Sequence, residues 1–366
     1  FNVNQRFVLA TICATTGSTY RKMGAIMLIT EAGDCIGLLS GGCLEADICL
    51  HAEQVLAQNK SMIINYDLKA DSELLWGLGL GCDGAIDILL QPLTPENNYL
   101  DFNRVITAVS QQDSGFYCVN LSTDHQSSEN KPMAMFVAQD DCSEGSQQNT
   151  ERNNSTPSQF VSALTPKLIP KLTPKLTSQL APLFCVQNTV LVIPIQPPLS
   201  IVLCGAGPDA KPVAQLLSQM GWQVTLWDHR QHSLDQACFA LCETKKIRPE
   251  QITHTDFSRF DGAVIMTHNL ESDISIVGSA WQSSLSYIGV LGPKGRRNKL
   301  IKPMSLTEEQ INGRLYGPIG LDLGGRGPQA IALSIAAQIQ QHFSQQAENV
   351  EITKPFIYQI EDELLP

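Results

Sequence analysis

Two cysteines of the N-terminal half stand where a thiol can do chemistry. Cys43 belongs to Ser40-Gly-Gly-Cys43-Leu-Glu45, which joins an expected strand to an expected helix. A thiol in the first helical turn would face unpaired amides and the positive end of the helix dipole, and both favour the thiolate. Cys82 lies in Gly77-Leu-Gly79-Leu-Gly81-Cys82-Asp-Gly84, whose glycines let the backbone come close to a neighbour. Thiolates suit thiophilic metals and sulfur transfer. Cys43 and Cys82 are therefore candidates for contact with a metal or a transferred sulfur, weighed against the plain alternative of small core residues. Gly17-Ser-Thr-Tyr-Arg21-Lys22 adds hydroxyls and cations that could hold a phosphate, or form an ordinary polar loop.

The C-terminal half carries a different chemistry. Gly205-Ala-Gly207-Pro-Asp-Ala210 follows an expected strand and opens a helix, the context in which a G-x-G-x-x-G/A pattern has meaning. Gly205 permits the tight turn, and Gly207 lets the backbone approach a phosphate at the helix N-terminus. Asp228 closes the next strand, where an acid would accept a ribose hydroxyl. Met266-Thr-His-Asn269 ends a further strand, so His268 and Asn269 fall on the edge where parallel sheets bind ligands, with Asp273 available to orient the imidazole. Lys294, Arg296 and Arg297 follow another strand on the same edge and suit a phosphate, or form a solvated cluster.

These residues need elements to position them. Short apolar runs predict strands at 7–15, 25–30 and 35–39, then a helix over 43–58 with Leu44, Ile48, Val55 and Leu56 at roughly helical spacing. Strands at 62–66 and 85–90, a helix over 97–112 and an antiparallel pair at 116–121 and 133–138 complete an α+β domain, which a strand at 189–195 closes. From 140 to about 182 the chain turns polar and then repeats Thr165-Pro-Lys-Leu, Ile169-Pro-Lys-Leu, Thr173-Pro-Lys-Leu, the pattern of a mobile insertion. Pro197-Pro198 makes a stiff junction. Beyond it, strands and helices alternate, which implies a parallel sheet with helices on its faces. The expectation is an α/β chain: an α+β domain over 1–196, a Rossmann-like domain over 199–346 and an acidic tail over 347–366.

A chain of 366 residues has room for two cores, and its net charge of -11 argues against a nucleic-acid surface. No stretch reaches the roughly 18 to 20 apolar residues of a membrane span, and the opening residues show no basic-then-apolar leader, so a cytoplasmic protein is expected. The 11 cysteines are odd in number and include no C-x-x-C pair, which favours reduced thiols. Cys238 and Cys242 have helical i, i+4 spacing but lack the partners of a tetrahedral site.

Taken in order, these segments resemble the XdhC/CoxI family of molybdoenzyme maturation factors. The resemblance rests on Ala14-Thr-Thr-Gly-Ser-Thr-Tyr-Arg21, Gly24-Ala-Ile-Met27, Ser40-Gly-Gly-Cys-Leu-Glu45 and Gly81-Cys82-Asp-Gly84. In the second half it rests on Gly205-Ala-Gly207, Asp228-His-Arg230, Met266-Thr-His-Asn269 with Asp273, Gly289-Val-Leu-Gly292 and Pro318-Ile-Gly-Leu-Asp322. It implies a chaperone, commonly a dimer, that binds the molybdenum cofactor (molybdopterin) while a cysteine desulfurase helps to install a terminal sulfur. Delivery would be to the apoenzyme of a xanthine dehydrogenase-type or CO dehydrogenase-type molybdenum hydroxylase.

By that resemblance Cys43 and Cys82 would lie near molybdenum or its sulfur. The glycine-rich and basic loops, with Ser40, Gly41, Gly42, Gly81, Arg21 and Arg296, would hold the pterin phosphate. Three segments depart from the family pattern: Gly-Cys-Asp-Gly for Gly-Cys-Gly-Gly, Pro208-Asp209 for His-Val, and Gly324-Gly-Arg-Gly-Pro328 for Gly-Ala-Arg-Thr-Pro. Two alternatives stay open. One is an NAD(P)-dependent oxidoreductase with His268 as acid/base; the other is a docking protein that uses the Pro-Lys-Leu repeat.

Overall fold

The computed structural model describes residues 5–67, 84–121, 134–138, 189–348 and 356–359. The chain divides into two compact units, Phe1–Pro197 with Glu351–Pro366, and Pro198–Val350. Cys82, Gly81 and the Pro-Lys-Leu repeat lie outside the described residues.

The first unit is built on an antiparallel sheet of β1 (Phe7–Gly17), β2 (Ile26–Thr30), β3 (Cys35–Gly37), β4 (Met62–Asp67) and β5 (Gly84–Leu93), in the order β3-β2-β1-β5-β4. From Phe7 to Cys13 β1 is buried at every position, because both of its faces are covered. On one face Val8, Ala10 and Ile12 pack with Ile48, Ala52, Val55 and Leu56 of helix α1 (Glu45–Gln58). On the other, Phe7, Leu9 and Leu89 pack with Phe102, Val105 and Ala108 of α2 (Phe102–Ser110) and with a second antiparallel sheet. That sheet contains β6 (Gly115–Asn120), β7 (Ala134–Ala138), β8 (Thr189–Ile195) and a strand at Phe356–Gln359, which pairs with β8. Each large aliphatic side chain sealed in these layers contributes roughly 1.5–3 kcal/mol.

Several boundaries differ from the sequence reading, two of them at the starts of helices. Helix α1 starts at Glu45, two residues after Cys43. The helix expected over 97–112 begins only at Phe102, since Asn98, Tyr99, Leu100 and Asp101 all have positive φ. That left-handed turn interrupts the helix and sends Tyr99 and Leu100 into the core. Phe356–Gln359, expected within a tail, is a sheet strand.

The second unit has a parallel sheet of β9 (Ser200–Cys204), β10 (Gln223–Asp228), β11 (Glu243–Lys246), β12 (Gly262–Ile265), β13 (Tyr287–Val290) and β14 (Leu315–Tyr316), in the order β11-β10-β9-β12-β13-β14. Counted from the first strand this is 3-2-1-4-5-6, the doubly wound order whose switch point falls between β9 and β12. Helices α3 (Ala210–Gln219) and α6 (Pro328–Glu348) cover one face through Val213, Leu217, Ile335 and Ile339. Helices α4 (Leu270–Trp281) and α5 (Lys294–Ile301) cover the other through Ile276, Val277 and Leu300. The α/β class read from the sequence is thus observed, with a Rossmann-type sheet in the C-terminal unit.

Candidate functional site

Strand directions gather the first unit's candidate segments at one end of its sheet. Strand β1 finishes at Gly17 opposite Gly84, β4 finishes at Asp67 opposite Ala85, and β3 finishes at Gly37 opposite Met27. The loop after β1, the turn after β3 and the entry to β5 therefore share an edge. A Cβ on Gly84 would sit 2.5 Å from the Ser18 and Thr16 carbonyl oxygens, so that entry lies directly on the 17–22 loop. A Cβ on Gly41 would lie 3.6 Å from the Tyr20 ring, which brings the same loop beside the Ser40–Cys43 turn. Arg21, Gly41, Gly42 and Cys43 are all exposed there.

The turn itself is clamped from both sides. Ser40 Oγ accepts the amides of Cys43 at 3.1 Å and Leu44 at 2.9 Å. Glu45 reaches back to accept the amides of Ser40 at 2.7 Å and Leu39 at 3.3 Å, together with the Ser40 hydroxyl. Burial opposes the charge on Glu45, but the Ser40 hydroxyl and these amides outweigh it and hold the carboxyl below its usual range. Cys43 is thus fixed before the helix, with its amide already satisfied by Ser40, and is not in the first helical turn. Its thiol owes its position to the turn.

In the second unit the glycine loop is held to the end of the neighbouring strand β10. Gly205 donates to the Trp227 carbonyl at 2.8 Å, and Ala206 donates to Asp228 Oδ2 at 2.8 Å. Arg230 binds both Asp228 oxygens through its backbone amide, Nε and Nη2 at 2.8, 3.0 and 2.8 Å. Burial would raise the Asp228 carboxyl, yet the Arg230 guanidinium and the two amides bring it down to about 2. The acid expected to take a ribose hydroxyl is therefore engaged with its own chain. A cavity of about 570 Å³ opens at the switch point, lined among others by Gly205, Asp228, Arg230, Arg248, Thr267 and Asn269. With Arg230 taken up by Asp228, Arg248 is the arginine of the lining left for an anion, and Glu250 is also part of that lining.

Three further expectations take a different form. His268 is oriented by Asp209, not Asp273, through Nε2 to Oδ2 at 2.8 Å, and it holds a left-handed φ of 62°. Asp273, 1% exposed, instead accepts from Thr267 and binds Arg296 Nη2 at 2.6 Å. Arg296, expected to face a phosphate, is thus committed to a buried carboxylate, while Arg297 binds Glu308 and Asn298. Asn269 caps α4, accepting the Ser272 amide at 2.9 Å, and its outer side lines the cavity.

The sequence reading singled out Asp209 as a departure in the glycine loop but not as the partner of His268, because the two lie 59 residues apart. Its Oδ1 stands 3.0 Å from where a Cβ on Gly207 would be. The Pro208-Asp209 departure has therefore put a carboxylate over the glycine turn where a diphosphate would approach. Asp209→Asn is expected to tighten binding of NADPH to the full chain several-fold by removing that like charge. Fluorescence titration checks this, and an unchanged or weaker affinity would remove Asp209 as a barrier.

These features define a two-unit α/β protein whose C-terminal unit has the dinucleotide-binding fold and whose N-terminal unit presents an exposed thiol on a clamped glycine turn. Family models narrow that class: residues 201–339 match the XdhC Rossmann domain and residues 2–67 match the XdhC and CoxI family. The chain is 30% identical over 344 residues to a Bacillus subtilis protein described as a probable xanthine dehydrogenase subunit, covering 91% of this chain and 92% of that protein. A shorter match, 30% over 86 residues, covers 24% of this chain and 26% of the molybdenum cofactor insertion chaperone PaoD of Escherichia coli. A crystal structure described as a xanthine dehydrogenase from Bacillus halodurans superimposes with a TM-score of 0.71 at 28% identity, over 96% of each chain. The chain belongs to the XdhC/CoxI family.

Proposed function

We propose that this protein is an accessory factor for a xanthine dehydrogenase-type molybdoenzyme, holding the molybdenum cofactor as cargo and passing it to the apoenzyme. The observation that carries the reading is Cys43, exposed on a turn that Ser40 and Glu45 hold rigid beside Tyr20 and Arg21. A soft thiolate on a preset turn suits a transient contact with molybdenum or its terminal sulfur. Among the described residues no cluster of three His, Cys, Asp or Glu side chains could hold a metal ion. The names of the relatives point the same way, to xanthine dehydrogenase and to cofactor insertion.

In this reading Arg21 and the glycine turn face the pterin, and Cys82 completes the contact. A cysteine desulfurase supplies the sulfur, the protein works as a homodimer in the cytoplasm, and a CO dehydrogenase-type client is the variant case. No helix among the described residues is long and apolar enough to cross a membrane.

The test is a titration of the full chain with molybdopterin, followed by activation of apo xanthine dehydrogenase. Cys43→Ala is expected to weaken binding at least about tenfold, equivalent to about 1.4 kcal/mol, and to lower activation in step; Cys82→Ala is expected to act in the same direction. Wild-type binding and activation in both variants would sink the thiol role.

A second reading is favoured by the switch-point cavity, in which Arg248 offers a cation to the phosphate of a nucleotide or a pterin. The glycine turn contributes differently. Asp209 Oδ1 is buried without a hydrogen-bond partner among the described residues, and its carboxylate opposes a phosphate at that turn. Gly205, Asp228 and Asn269 then line the cavity, and Gly207 and His268 stand on the same two loops outside that lining, without a redox step. Micromolar NADH or NADPH binding by the wild-type chain would instead favour an oxidoreductase.

A further inference from the structure

Cys35 opens the edge strand β3 and Cys49 lies one turn into α1, and their sulfurs stand 3.2 Å apart. Both thiols also point at the Gly33 carbonyl, at 3.9 and 3.8 Å. Two sulfurs closer than van der Waals contact, on elements already fixed by sheet pairing and helix packing, need only a small side-chain rotation to bond. Between them in sequence lies the whole Ser40–Glu45 turn that carries Cys43.

We propose that Cys35 and Cys49 form a reversible redox pair whose disulfide locks the turn presenting Cys43. The co-reactant is a low-molecular-weight disulfide. The exposed Cys35, as thiolate, attacks one of its sulfurs, forming a mixed disulfide and releasing one thiolate. Cys49 then loses its proton and attacks the Cys35 sulfur, forming the internal bond and releasing the second thiolate. The balance is one protein dithiol and one small disulfide giving one protein disulfide and two small thiols.

The order follows from the surroundings. Cys35 is exposed, whereas burial, the Cys35 sulfur and the nearby Glu45 and Glu53 carboxylates push the Cys49 thiol up to about 11. A resident metal is a poorer occupant, since no third His, Cys, Asp or Glu joins the pair among the described residues.

Closing this loop ties the edge strand to the helix across the turn and removes freedom from the residues between. The pairing stands whatever cargo the protein carries; its bearing on delivery rests on the cofactor reading above.

The experiment equilibrates the reduced full chain in glutathione buffers of increasing oxidised fraction, traps thiols with iodoacetamide and digests after glutamate. Cleavage at Glu45 separates Cys49 from Cys35 and Cys43. The expected result is joint loss of alkylation at Cys35 and Cys49 and their recovery in one linked species lighter by two hydrogens, with Cys43 still alkylated. Cys35→Ser is expected to leave Cys49 alkylated throughout. Amide exchange across residues 38–44 is expected to slow several-fold in the oxidised form. Alkylation retained at both cysteines in oxidised glutathione, a bond from either one to Cys43, or a stable glutathione adduct would overturn the pairing; unchanged exchange would overturn the lock. None of these readings depends on molybdopterin binding, so the two proposals fail separately.

Discussion

Arg296→Ala is expected to destabilise the C-terminal unit by about 3–5 kcal/mol, because it leaves the Asp273 carboxylate buried without its charged partner. The Asp273 side chain is 2% exposed and that of Arg296 24%, with 2.6 Å between Nη2 and Oδ2. The remaining donors to Asp273 come from Thr267, so no second cation replaces the guanidinium. The arginine's stem also lies against Gly292, where an added Cβ would stand 2.7 Å from its Cδ, and that packing is lost as well.

Urea unfolding followed by tryptophan fluorescence reads mainly this unit, since three of the four tryptophans, Trp222, Trp227 and Trp281, belong to it. Adding Asp273→Asn to the variant removes the stranded charge and is expected to restore part of the loss. If Arg296 served mainly to hold a ligand phosphate, the ligand-free variant would unfold like wild type. A change below about 1 kcal/mol would mean that the pair is not closed in solution.

Gly205→Ala is expected to cost about 3 kcal/mol or more, and Gly207→Ala about 1 kcal/mol or less, although both glycines belong to the same loop. Gly205 has φ +117°, and a Cβ there would stand 2.6 Å from the Met266 carbonyl oxygen and 2.8 Å from its carbon. Backbone that continues a sheet strand cannot swing aside, so the strain would spread between β9 and β12 at the point where the cavity opens. Gly207 lacks the left-handed φ, and its Cβ would meet side chains alone, the end of Asp209 at 3.0 Å and His268 Cδ2 at an ordinary contact distance of 3.9 Å. The same unfolding experiment ranks the two variants. Equal losses, or a larger one at Gly207, would contradict this account of the turn.

Much of the fold was legible because the signals are local. Continuous burial of Ser200–Cys204 requires an apolar run, the Gly205 turn requires a residue without Cβ, and Ala210 begins a helix whose apolar positions repeat at helical spacing. The α/β class follows from those signals. The Ser40–Glu45 clamp was not legible, because the two residues are five apart and lack the three-residue spacing of a capping box. The start of α1 was misjudged by two residues because Leu44 matches the apolar period without being helical.

The partners of charged and sulfur-bearing side chains were not legible. Asp273 is near His268 in sequence, yet the imidazole turns to Asp209, and Asp273 turns inward to Arg296 on the next helix. Asp228 occupies the ribose-binding position of the motif but is taken by Arg230 two residues later. Cys35 and Cys49 meet only because an edge strand and a helix pack side by side, and Phe356–Gln359 becomes a strand only because β8 offers it an edge.

The sequence by itself determined most of the elements, the parallel sheet and the glycine turns, since periodicity and φ preference act over a few residues. Only the tertiary structure decided which donor meets which acceptor. Spacing rules hold within one helix or strand, and between elements the meeting of two side chains depends on where packing brings their backbones.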